Sequence, residues 1–140
     1  MRRSLVAVAA TTLFALGAGS AVAASWHSMK TLTTGGAAFR NGQYTFYPKS
    51  TNHGGFGFKG GLADTSKGDG HNVYVQAKVE GYSWRRFNGK QGKTVRLNKV
   101  VYDGAAQYVR HAALRVCRDR GSLRPDNCSP TRSYKGPDQD

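Results

Sequence analysis

Glutamate occurs once in this chain, at Glu80, and acidic residues number eight against 21 lysines and arginines. So few carboxylates leave little for glycoside hydrolysis, which needs an opposed pair acting as acid and base. Beside Glu80 stand only scattered aspartates, most of them in turn-like sequence. Cysteine is nearly as scarce, with Cys117 and Cys128 the only two. The four histidines, His27, His53, His71 and His111, lack ligand spacing, and no H-E-x-x-H occurs, so no zinc site is read. Also missing are a G-x-S-x-G elbow, a G-x-x-x-x-G-K-[ST] phosphate loop and the oxygen rhythm of a calcium loop around Asp64 and Asp69. No cofactor or small-molecule substrate is implied.

What is present begins with a leader. Arg2 and Arg3 precede an apolar stretch from Leu5 to Leu16, and Ala21-Val22-Ala23 supplies a small-residue cleavage site. This reads as a signal peptide, too short and too poor in bulky residues for a membrane anchor. Cleavage after Ala23 or Ala24 leaves about 116 residues, a single-domain size, carrying a net charge of about +11. The expected location is extracellular, without a membrane span. So basic a surface suits polyanions or an acidic protein face. In an exported chain the isolated cysteine pair reads as a disulfide, closing the turn-rich loop CRDRGSLRPDNC. Such a closure contributes roughly 2.5 to 3 kcal/mol by the chain-entropy estimate.

Strand patterning dominates the remainder. In NVYVQAKVEGY, Val73, Val75, Ala77 and Val79 alternate with Tyr74, Gln76, Lys78 and Glu80, giving one dry and one wet face. GQYTFYP and GFGFKG predict aromatic strands around 43–47 and 55–59. KTVRLNKVVYDG predicts another, with Val95, Leu97 and Lys99 along one side, and GYSWRRFNGK a short strand or hairpin arm. AAQYVRHAALRVCRDR fits a helix through Ala105, Val109, Ala112 and Val116, or a strand through Tyr108, Arg110, Ala112, Leu114 and Val116. The clamped turn after Cys117 favours the strand. The fold class expected is all-β, an antiparallel sandwich of about six or seven strands. The pattern divides the chain into a signal peptide (1–24), a flexible N-terminal arm (25–36), a β-sandwich domain (37–134) and a disordered tail (135–140).

HNVYVQAKVEGYSW, followed further along by ALRVCRDRGSLRPDNCS, resembles small secreted single-disulfide proteins of high-GC Gram-positive bacteria. Some proteins of that kind serve as the adaptor subunit of umbrella toxin particles, joining a toxin-bearing stalk to a lectin-like, trypsin-fold subunit. The resemblance spans Gly68 to Ser129 and rests on sandwich features rather than site residues. It implies a non-catalytic adaptor whose partner is another secreted protein.

Two stretches are candidates for partner binding. WRRFNGK offers Trp84, Arg85 and Arg86, with alternation sending Trp84 and Arg86 to one face and Arg85 and Phe87 to the other. The arm SWHSMKTLTTGG offers Trp26 and Met29 as apolar anchors and Lys30 as a charge, as in a segment that orders on binding. A basic extracellular ribonuclease or nucleic-acid-binding protein is the alternative. Guanyl-specific microbial ribonucleases use a Glu base, a phosphate-binding Arg and a His acid on neighbouring strands, and Glu80, Arg96 and His111 occur in that order on successive predicted strands. The sequence around that family's arginines and histidine is missing here, as is its helical amino-terminal half. Outside catalysis, Glu80 is expected to be a wet-face residue pairing with lysine or arginine on a neighbouring strand.

Overall fold

A computed structural model describes residues 24–139. The signal-peptide reading therefore lies almost wholly outside the described residues. Ten strands follow one another: β1 (His27–Ser28), β2 (Leu32–Thr34), β3 (Ala37–Phe46), β4 (Phe56–Asp64), β5 (Val73–Val79), β6 (Arg85–Asn88), β7 (Thr94–Val101), β8 (His111–Arg118), β9 (Asn127–Cys128) and β10 (Arg132–Lys135). They form two antiparallel five-stranded sheets packed face to face. One is ordered β1-β3-β4-β7 with β2 also on β3; the other is ordered β10-β8-β5-β6 with β9 also on β8. The all-β sandwich is as expected, with more and shorter edge strands than the pattern predicts.

Alternation explains the core. Val73, Val75, Ala77 and Val79 of β5 and Leu114 and Val116 of β8 point inward from one sheet, against Phe39, Phe56, Phe58 and Leu62 of the other. Two inner faces built this way interdigitate into one dry layer. The ambiguous segment resolves as strand from His111 onward, while residues 105–110 are irregular and only Val109 among them is buried. In β3 the pairing with β4 slips between Arg40 and Gln43, a bulge in which Asn41 adopts φ 51°. There Gly42 is required, because a Cβ would lie 2.4 Å from Met29 Cγ.

Two expectations are corrected. The stretch 25–36 is not a free arm: β1 pairs His27 with Tyr44, β2 pairs Leu32 with Phe39, and Leu32 is only 3% exposed. Edge pairing to β3 orders a segment too short to show a period of its own, and TLTT is rich in β-branched residues that favour strands. The tail is docked as well. Lys135 belongs to β10, the Gly136 N–H donates to the Arg110 carbonyl at 2.8 Å, and the Gln139 amide donates to the Tyr47 carbonyl at 3.2 Å.

The disulfide joins Cys117 to Cys128, directly opposed on β8 and β9. Carboxylates organise the loop it closes. Asp126 accepts the Arg120 N–H at 3.0 Å and the Tyr74 hydroxyl, while Asp119 accepts the Gly121 N–H at 2.8 Å. Burial, reinforced by the Asp126 carboxylate, pushes the Tyr74 phenol up to about 12. Asp64 is buried at the end of β4, where it accepts the N–H groups of Ser66 (3.0 Å) and Gly92 (2.7 Å).

Candidate binding surface

The WRRF segment becomes β6, which pairs only with β5 and so forms one edge of its sheet. As alternation requires, Phe87 turns inward, its ring edge-on to Phe58 at a centroid distance of 5.4 Å. Trp84, on the opposite face, is half-buried between two cations: Lys78 Nζ lies 4.8 Å and the Arg115 guanidinium 4.4 Å from its ring centre. Each such contact is worth about 0.5–1 kcal/mol where solvent reaches it. The indole is therefore already stacked within the domain. Arg86 is likewise committed, packed 3.7 Å above the Tyr74 ring and bonded at 2.7 Å to both Asn88 and Asp119. That guanidinium, together with the Gly121 N–H, holds Asp119 below the usual carboxylate range. Arg85 is exposed and forms no ion pair among the described residues.

The residues expected to act from an arm are built into the first sheet. Trp26 is half-buried on its outer face, edge-on to Tyr47, with Lys59 Nζ 4.0 Å from the indole centre. Met29 packs against the core and accepts a weak hydrogen bond from the Tyr134 hydroxyl. Lys30 alone of the three is exposed.

Glu80, Arg96 and His111 do not come together. Glu80 and His111 adjoin in the second sheet, with His111 Nδ1 3.3 Å from the carboxylate. Arg96 lies on β7 in the first sheet, in the row facing away from the core, opposite Gly61. The thickness of the sandwich separates it from the other two. Nor, among the described residues, does Glu80 pair with lysine or arginine as expected. One carboxylate oxygen accepts the Arg110 N–H at 2.6 Å and the other accepts the His111 N–H, so the side chain fastens the start of β8. β5 ends at Val79, one residue before Glu80, whose carboxylate takes these two N–H groups beyond the strand's end. Among the described residues no group of three or more metal-ligating side chains comes together.

The feature that sequence reasoning missed is the side of the sandwich where β6 and β7 run next to each other. Among the described residues β7 pairs only with β4, so its other edge is uncovered there along eight residues, the longest such edge among the described strands. Between β6 and β7 runs an open groove of about 550 Å³, lined by Phe87, Val95 and Leu97 and by Arg86, Arg96 and Lys99, without an acidic residue. Lys99 projects from the core-facing row of β7, opposite Phe58, with its Nζ 5.9 Å from the Phe87 ring centre. Its sequence signal was the lysine that continues the Val95–Leu97 row. No protein-family model matches the chain, and no curated protein or solved structure shows a significant match to it.

Proposed function

We propose that this protein is a secreted, non-catalytic module that docks onto another extracellular protein along the β7 edge, with β6 beside it. One observation carries the reading: among the described residues, an eight-residue strand edge is left uncovered next to a basic, acid-free groove with an apolar floor. Uncovered edges of that length template pairing with another chain, and folded proteins ordinarily shorten, cover or guard them. Adding a strand takes affinity from main-chain hydrogen bonds and needs no reactive centre. The engagement of both Glu80 oxygens by backbone N–H groups supports the non-catalytic part. Export is supported by the leader sequence and by the disulfide, which oxidising compartments favour. The adaptor role implied by the sequence resemblance, within a toxin particle, is one form such docking takes.

The test is affinity capture from culture supernatant with the tagged, disulfide-intact protein, followed by mass spectrometry and an RNA-cleavage assay on the same preparation. The reading expects a secreted protein recovered in fixed proportion and no cleavage. RNA cleavage with no recovered partner would replace it with the ribonuclease reading.

A further inference from the structure

Resting on the edge-docking reading, we propose that the segment received at β7 is an acidic extended strand whose carboxylates face Lys99 and Arg96. The two rows of β7 define what a strand laid beside it meets. Val95, Leu97, Lys99 and Val101 form the row on the core side, opposite Leu62, Gly60, Phe58 and Phe56. A neighbouring strand would set every second side chain over this row, about 4.8 Å away, and the groove floor of Phe87, Val95 and Leu97 takes apolar groups there. Lys99 interrupts the row. A charge aimed inward at an edge keeps unselected strands away, because pairing would strip its water without replacement. No acidic residue lines the groove, and Lys99 forms no ion pair among the described residues. The counter-charge must come from the occupant, so the guard becomes a selector for a strand with a carboxylate at that position.

The outward row gives the second contact. Arg96 is exposed opposite Gly61, which lies opposite Arg40 in turn, so two arginines flank a residue without a side chain. Neither has an acidic partner within the described chain. A carboxylate three residues along from the one facing Lys99 falls on the outward face opposite Arg96, whose planar fork donates to it bidentately. A second copy of this chain fits poorly. Two β7 edges paired antiparallel would set one basic, acid-free strand against another and leave Lys99 and Arg96 of both copies without a counter-charge. The occupant is therefore a partner segment alternating apolar and polar residues, with acid at two set positions.

The probe is a fluorescently labelled peptide, Val-Thr-Glu-Thr-Val-Glu-Val-Thr, laid antiparallel so that its first glutamate meets Lys99 and its second meets Arg96. A version with both glutamates replaced by lysine is the control. Anisotropy titration of the intact protein should show the acidic peptide binding at least tenfold tighter than the control. The Lys99→Glu/Arg96→Glu variant should reverse that order, and circular dichroism melting checks that it is folded. Hydrogen exchange should place new protection on residues 94–101. The proposal is overturned if wild type binds both peptides equally or neither, if the charge-reversed variant keeps the wild-type preference, or if sedimentation shows the free protein occupying the edge as a dimer. A partner recovered from supernatant while these peptides fail would leave edge docking standing and remove only the acidic-strand chemistry.

Discussion

Leu32→Ala tests whether the amino-terminal segment belongs to the fold. Leu32 is 3% exposed, sits opposite the fully buried Phe39 and joins the core cluster. Complete burial of a leucine contributes about 1.5–3 kcal/mol, and truncation to alanine adds the cost of the space left behind, for a usual total of about 2–5 kcal/mol. A three-residue edge strand can relax around the loss, which places this site near the lower end, at about 2 kcal/mol. For a domain of this size 1 kcal/mol shifts Tm by roughly 4 °C, so a fall of about 8 °C is expected. The assay is thermal unfolding by circular dichroism on the oxidised protein, with Thr33→Ala, an exposed neighbour, as control. A shift below about 2 °C in Leu32→Ala would refute the reasoning, since it would mean that residues 25–36 contribute nothing to the core.

Glu80→Ala removes two acceptors at the start of β8 and should lower stability by about 1–3 kcal/mol in denaturant melts while partner recovery is retained. Acid should destabilise the fold through Asp119 and Asp69. The hydrogen bond from Arg86 depresses Asp119, and that from the His71 N–H depresses Asp69. A carboxylate whose folded pKa lies below its unfolded value contributes stability that is complete above the unfolded value, near 3.9, and is lost as pH falls through the folded one. Urea melts on either side of that range should therefore show a smaller acid loss in Asp119→Asn than in wild type.

What was legible in the sequence depended on how long each pattern ran. β5 carries seven alternating residues, so its inward and outward faces could be read directly, and the cysteine pair needed only the leader to be interpreted. β1 and β2, at two and three residues, hold no period; their partner β3 decides them. The tail is held by one hydrogen bond from Gly136 and two at Gln139, which leave no trace in composition. For the site, alternation gave the inward turn of Phe87 and the row that ends at Lys99, but not the uncovered edge. An edge is a property of strand order, and nothing local in TVRLNKVV says that only one side of it is paired. The same blindness grouped Glu80, Arg96 and His111. Successive strands here cross between sheets, so sequence order does not give a shared face.

Hydrogen exchange on the complex with the captured partner tests edge docking most directly. The β7 amides that do not bond to β4 face open solvent in the free protein and would acquire carbonyl partners from an added strand. Docking along this edge predicts that exchange across residues 94–101 slows at least tenfold on binding, while β1 and β2 on the far edge stay unchanged. Unaltered exchange in β7, with protection appearing elsewhere, would contradict it.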